Sequence, residues 1–284
     1  MKLIYPILSY YFLTSIPFAQ DYIQNPETKI HHSKFIIQNH FSLSFTQSLY
    51  LNTNLPNLEN QNGKYFPKGY GVFSSLLLQY RSRHFSLTAE PMILDRRQYD
   101  ISIPHKENEF SVLNDVPLLD IYKQNRFRNT GLKLHFYGIS AGFGNWDQWW
   151  GPGIHNSLSL SNNAQGFYHY YIGTDGNQSG GKYVDFSFKY LVSRPMQNLK
   201  GDDYFLSAWF LKAKYKFLEL GLNRNVVSGG YSDLPWDQQD VLTVLIDQNN
   251  IKYWDTINTY YILGNFEESG LKVFLEIGFP NRSY

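Results

Sequence analysis

Hydrophobic and polar residues alternate with a period of two in segment after segment of this chain. In Phe41-Ser42-Leu43-Ser44-Phe45-Thr46 every second residue is apolar, and Phe85-Ser86-Leu87-Thr88-Ala89-Glu90 repeats the pattern. Leu132, Leu134 and Phe136 alternate with Lys133, His135 and Tyr137. Val184, Phe186, Phe188, Tyr190 and Val192 alternate with Asp185, Ser187, Lys189, Leu191 and Ser193. Ala213, Tyr215 and Phe217 alternate with Lys212, Lys214 and Lys216, and Leu271, Val273, Leu275, Ile277 and Phe279 with Lys272, Phe274, Glu276 and Gly278. Neighbouring side chains on a strand point to opposite faces, so each segment has one apolar and one polar side. About a dozen such strands are expected from this periodicity.

Two architectures use this pattern. A soluble sandwich buries the apolar faces against each other. A membrane barrel turns them to lipid and keeps the polar set inside. The segments run to roughly 9 to 11 residues, the length a tilted strand needs to cross a bilayer. Aromatic residues cluster near their ends, where a barrel carries its interfacial girdles. The connections are polar and rich in Gly, Pro and Asn: 52–68, 95–120, 175–181, 198–203 and 228–240. Long loops alternating with short turns fit the two ends of an outer-membrane barrel. The expected fold is therefore all-β, an antiparallel transmembrane β-barrel.

Composition sharpens this choice. The 284 residues include 23 Tyr and 21 Phe, aromatics reach 18%, and charged residues are only 17%, below the usual quarter. Such a surface suits contact with something other than water. Mean hydropathy is nevertheless −0.39, against what a helical membrane protein would show. The net charge of +1 gives no reason to expect a nucleic-acid partner. With no cysteine, a disulfide scaffold and Cys-based metal sites are excluded.

At the N-terminus Lys2 precedes a largely apolar run from Leu3 to Phe18, and Ala19-Gln20 leads into Asp21. A basic start, an apolar middle and a small residue at the exit read as an export signal over 1–20. A buried N-terminal strand is the other reading of this run. The expected organisation is a signal over 1–20, a flexible segment over 21–34 and a barrel over 35–284. If the mature chain enters a membrane, it does so as a closed barrel.

The segment richest in chemistry runs from Gly144 to Ala164. It holds Trp146, Trp149 and Trp150, half of the 6 Trp residues. Gly151-Pro152-Gly153 follows as a tight structural turn. Ser157, Ser159 and Ser161 alternate with Leu158 and Leu160, which predicts a strand, and Asn162-Asn163 supplies paired amides. Sugar rings stack their C–H faces on Trp, and Asn, Gln, Ser and His match their hydroxyls. The candidate polysaccharide-binding residues are Trp146, Trp149, Trp150, His155, Asn156, Asn162 and Asn163. The plainer reading is a polar cluster folded into the barrel interior, which braces it while the tryptophans pack the turn.

Trp149-Trp150-Gly151-Pro152-Gly153, then Ser157-Leu158, then Leu160-Ser161-Asn162-Asn163-Ala164 resembles the signature of the Wzi-type capsule-assembly family. Looser likeness extends upstream over 131–144 and downstream to Leu218, Gly221, Leu222, Arg224, Gly229 and Gly230. Gln165-Gly166-Phe167 stands where a proline-containing continuation is usual in the family, which marks a divergent branch. The resemblance implies an outer-membrane barrel that binds and anchors capsular or other exported polysaccharide at the cell surface, somewhat like a lectin. It implies no enzyme, no cofactor and no metal. The expected partners are the polysaccharide, outer-membrane lipid and other components of polysaccharide export. A porin-like channel for small solutes or sugars is the alternative use of the same polar inner face. Pro280 to Ser283 break the alternation before Tyr284, and Pro280 cannot donate to a central ladder. The last clear strand, 271–279, is thus not expected to close the barrel, and the chain is expected to be a shortened member of a family of larger barrels.

Other constellations are weaker. His31-His32 are adjacent, so on a strand they face opposite ways and chelate poorly. Asp202-Asp203 and Glu267-Glu268 sit beside Gly201 and Gly270 and read as solvated turns. Asp147 and His155 flank the tryptophans as a conceivable acid–base pair, with no second fixed partner. Arg126 and Arg128 precede a strand in a basic stretch and are candidates to meet an acidic polymer, or an ordinary charged loop. Lys212, Lys214 and Lys216 share one strand face and would attract uronic acids or lipid phosphates. No nucleotide loop, Ser-His-Asp pattern or zinc signature is found.

Overall fold

The computed structural model describes residues 29–38, 40–52, 69–98, 121–154, 157–162, 166–179, 184–194, 196–197, 203–229 and 255–282. The proposed export signal lies outside them. Fourteen strands occur in this set: β1 (Lys29–Gln38), β2 (Phe41–Asn52), β3 (Gly69–Arg81), β4 (Phe85–Gln98), β5 (Ile121–Phe136), β6 (Ile139–Gly144), β7 (His169–Thr174), β8 (Gln178–Ser179), β9 (Val184–Ser193), β10 (Met196–Gln197), β11 (Asp203–Tyr215), β12 (Leu218–Gly229), β13 (Asp255–Phe266) and β14 (Leu271–Arg282). Hydrogen bonding follows chain order from β1 to β14, with β8 and β10 as short arms on β9 and β11. The pairings are antiparallel, and among the described residues there is no α-helix. The all-β antiparallel expectation holds, with twelve strands in the main order. β1 starts at Lys29, inside the segment set apart as 21–34.

The chain divides into two compact units. The first holds β1 to β3, most of β4 and β5 as far as Arg128. Its buried cluster is Tyr50, Phe73, Met92 and Leu94. Alternation is plain in β2, where Ser48 and Tyr50 are buried while Leu49 and Leu51 are exposed.

The second unit runs from Asn129 through β14, and its register aligns side chains in rows. One row is Phe188, Leu211, Leu222, Tyr260 and Ile277. The adjacent row is Phe186, Ala213, Leu220, Ile262 and Leu275. All ten residues of this pair of rows are apolar or aromatic, and all are exposed. Monomeric soluble proteins rarely expose contiguous apolar area of this size. From Leu271 to Phe279, β14 covers about 27 Å along its length. At the usual strand tilt that is roughly 20 Å of depth, close to the apolar band of about 25 Å on outer-membrane barrels.

Connections alternate in length. In the second unit the strand ends joined in sequence through 145–168, 194–202 and 230–254 share one edge of the sheet, and those joined through 137–138, 175–183, 216–217 and 267–270 share the other. The Lys212–Phe217 alternation ends early. β11 stops at Tyr215, and Lys216 enters the hairpin with φ +52°. Tyr137 and Gly138 close the β5–β6 hairpin with φ +46° and +82°, the signs that a two-residue type I′ turn requires. Pro280 does lie within a strand, paired to Ile257. Among the described residues β14 pairs with β13 alone, so Pro280 deletes no ladder bond in a central strand.

On the polar face of this unit Gly221 lies directly opposite Tyr261. A Cβ on Gly221 would overlap the Tyr261 ring. That ring reaches over the glycine so that its hydroxyl donates to Glu219 Oε1 at 2.8 Å, and Lys212 Nζ lies 3.7 Å from Glu219 Oε2. Gly221→Val is expected to destabilise the fold by about 1–3 kcal/mol through overpacking. The loss should shrink in a Tyr261→Ala background. Urea titration of the heat-modifiable gel band measures both.

Candidate functional site

The Trp-rich segment leaves β6 at Gly144 and is drawn back across the polar face of the second unit. Its first anchor is Trp146, 8% exposed. Paired glycines make its floor. Gly131 and Gly144 are cross-strand partners, and a Cβ on either would collide with the indole. Lys133 Nζ lies 4.6 Å from the ring centroid, and Tyr171 and His169 meet it edge-on at 5.6 and 5.7 Å.

The backbone around this anchor is fixed by amides. Asn129 adopts φ +44° within β5, a conformation that Asn tolerates better than most residues. Its Oδ1 accepts from the Asp147 N–H at 3.0 Å, and its Nδ2 donates to Asp147 Oδ2 at 3.3 Å. Thr130 N donates to Asn145 Oδ1 at 2.7 Å. Asp147 is thus engaged with an asparagine, while His155 lies outside the described residues.

Gln148 is buried and works as a hub. Its Nε2 donates to Trp146 O at 2.9 Å, and its Oε1 accepts from Lys189 Nζ at 2.8 Å. Nε2 also lies 3.3 Å from His169 Nε2. His169 Nδ1 sits 2.8 Å from Phe167 O. A carbonyl only accepts, so Nδ1 carries the proton and Nε2 is free to accept from Gln148. Lys189 Nζ also lies 4.6 Å from the Tyr171 ring centroid.

The second anchor is Trp150, 5% exposed, edge-on to Phe210 at 5.0 Å. Its backbone forms one antiparallel bridge with Leu160. Trp150 O accepts from Asn223 Nδ2 at 3.1 Å and from the Ser157 hydroxyl. Asn223 Nδ2 also donates to Thr259 Oγ1 at 3.0 Å. Asn225 Nδ2 donates to Ser159 Oγ at 2.9 Å. Leu158 N donates to Glu276 Oε2 at 3.3 Å. A Cβ on Gly151 would meet Ser157 Oγ and Glu276 Oε1, so glycine there lets the chain approach β14.

The segment therefore touches β5, β7, β9, β11, β12 and β14. A magnitude shows why it needs them all. Burying an indole contributes roughly 4–6 kcal/mol, whereas ordering costs about 1–2 kcal/mol per residue. Two tryptophans do not hold 145–162 in place without the amide, serine and carboxylate ties.

The predicted site residues divide as follows. Trp146 and Trp150 face internal partners, and Trp149 is half-buried. Asn162 is half-buried, and its Oδ1 is enclosed without a hydrogen-bond partner among the described residues. His155, Asn156 and Asn163 lie outside the described residues. Gly151 and Pro152 form a bend, with Gly153 following. The strand expected over Ser157 to Ser161 does not form. Its serines bond to Trp150 O and Asn225 instead of entering a ladder, and Leu158 is left exposed. Arg126 and Arg128 belong to the first unit. There Arg126 Nε donates to Met92 Sδ at 3.4 Å, and Arg128 Nε lies 3.3 Å from Glu90 Oε2. Gln148, Lys189, Asn223, Asn225 and Glu276 were not singled out on sequence. Lys189 and Glu276 alternate with apolar neighbours, which marks them as inward-facing, but nothing local names their target, nor that of Gln148, Asn223 and Asn225.

An antiparallel meander with exposed apolar rows, long connections at one end and a segment tied across its polar face is the architecture of outer-membrane β-barrel proteins. The family model described as Capsule assembly protein Wzi matches residues 50–261, and the chain belongs to this family. It is a family of outer-membrane capsule-assembly proteins of Gram-negative bacteria. No curated protein and no solved structure matches the chain.

Replacing Asn223 and Asn225 together by Ala removes the donors to Trp150 O and Ser159. At about 1 kcal/mol or more per buried bond, segment 145–162 is expected to become protease-sensitive while the strands stay folded. Limited proteolysis with mass mapping of the cut sites tests this. Unchanged protection would show that these ties do not hold the segment.

Proposed function

We propose that the protein resides in the outer membrane and binds and anchors capsular polysaccharide at the cell surface, with its long connections facing outward. The observation that carries this reading is the family match over 50–261, which contains the Trp-rich segment. In this reading Trp146 and Trp150 fix the segment. Trp149 offers its face to a sugar ring, and the half-buried Asn162 offers its amide N–H to a hydroxyl oxygen. His155, Asn156 and Asn163 complete the polar set. Other polysaccharide-export components would deliver the polymer to this end.

Purified, refolded protein titrated with fluorescent capsular polysaccharide from the same bacterium tests the reading. Trp149→Ala and Asn162→Ala are each expected to weaken binding by roughly tenfold, the usual effect of losing one strong contact. Unaltered affinity in both folded variants would sink the assignment. Planar-bilayer recording separates the alternative, since steady current through the wild-type protein would favour a solute channel.

A further inference from the structure

The apolar rows of the second unit end in a row of different chemistry. Register places Tyr190, Trp209, Arg224, Asn258 and Phe279 side by side across β9, β11, β12, β13 and β14. Beyond them, toward the long connections, stand Ser207, Val226 and Thr256, with Phe205 and Ser228 further on, all of them buried. Arg224 lies between Asn223 and Asn225, whose amides reach the Trp-rich segment. Strand alternation turns Arg224 to the opposite face, the one that carries exposed Leu220 and Leu222.

An arginine is costly on an apolar face and is placed there for a partner. Neither this row nor the next contains a carboxylate. Arg224 is half-buried, and its Nε is enclosed without a hydrogen-bond partner among the described residues. Tyr and Trp in the same row mark the depth at which amphipathic rings meet lipid headgroups. A guanidinium binds phosphate through two parallel N–H···O bonds, and the adjacent Asn258 amide adds a donor.

We propose that Arg224, assisted by Asn258, is a binding site for the phosphate of a lipid headgroup in the leaflet at the long-connection end. The site lies on the face of the apolar rows, where exposed Leu222 gives way to buried Val226, and is separate from the Trp-rich segment on the other face. It rests on the outer-membrane reading above.

The test uses the refolded full-length protein in neutral detergent, titrated with diphosphoryl lipid A or with its dephosphorylated form and read by native mass spectrometry. The wild type is expected to retain the phosphorylated lipid in preference to the dephosphorylated one. Arg224→Gln should weaken retention by about tenfold, the loss of one charge-assisted pair. Arg224→Lys should recover part of it, because a point charge remains without the fork. Equal retention of both lipids by the wild type, or an undiminished preference in folded Arg224→Gln, overturns the site. If Arg224→Gln does not refold, Asn258→Ala carries the test, with a smaller loss of preference expected and no loss counting against the site. Flotation of the wild type with lipid vesicles is read alongside. Failure to float sinks the membrane reading, whereas flotation without phosphate preference sinks this inference alone.

Discussion

The structure depends on one constraint: a strand that turns one face to lipid must satisfy every polar group on the other face from within. Backbone groups are met by the antiparallel ladders. The side chains of the polar face are left with each other and with whatever the chain folds over them. In the second unit that cover is the Trp-rich segment. Gln148 receives Lys189, Asn223 and Asn225 donate to Trp150 O and Ser159, and Glu276 accepts from Leu158 N. Sheet and segment complete each other's hydrogen bonds, and either alone would leave buried groups unpaired at a cost of about 1–3 kcal/mol each.

The same constraint explains the glycines. Gly131 and Gly144 are paired where Trp146 lies on the sheet, Gly221 is opposite Tyr261, and Gly151 is where the segment approaches Glu276. A strand loses ladder stability at glycine. Here it gains a flat floor on which an aromatic ring or a crossing backbone can rest. Indole burial and close backbone approach thus come from the same substitution of hydrogen for a side chain.

Much of the fold was legible because period two is a local signal. The meander, the exposed apolar rows and the alternation of long and short connections follow from it. The candidate site was less legible. Ser157 to Ser161 carry a strand-like pattern, yet only Leu160 makes a bridge, to Trp150, while the Ser157 hydroxyl turns to Trp150 O and that of Ser159 accepts from Asn225, 66 residues on. Trp146 and Trp150 advertise sugar stacking by residue type, but their rings pack against Tyr171, His169 and Phe210. Arg126 and Arg128 look like a loop charge cluster and are instead tied to Met92 and Glu90 within β-structure. For the tryptophans, the arginines and Ser159, the partner that decides the role is distant in sequence.

Burial of two tryptophans is compatible with a recognition role for the segment. A binding surface loses affinity when it must be ordered by its ligand, at about 1–2 kcal/mol for each residue fixed. A segment already held by two indoles and by ties to six strands has met that cost during folding. Whatever it presents beside those anchors is then rigid before a ligand arrives. The anchors need not touch the polymer to matter. By fixing the backbone on both sides of Trp149, they decide where that ring can stand, and under the proposed binding role the strands beneath are what give that ring its geometry.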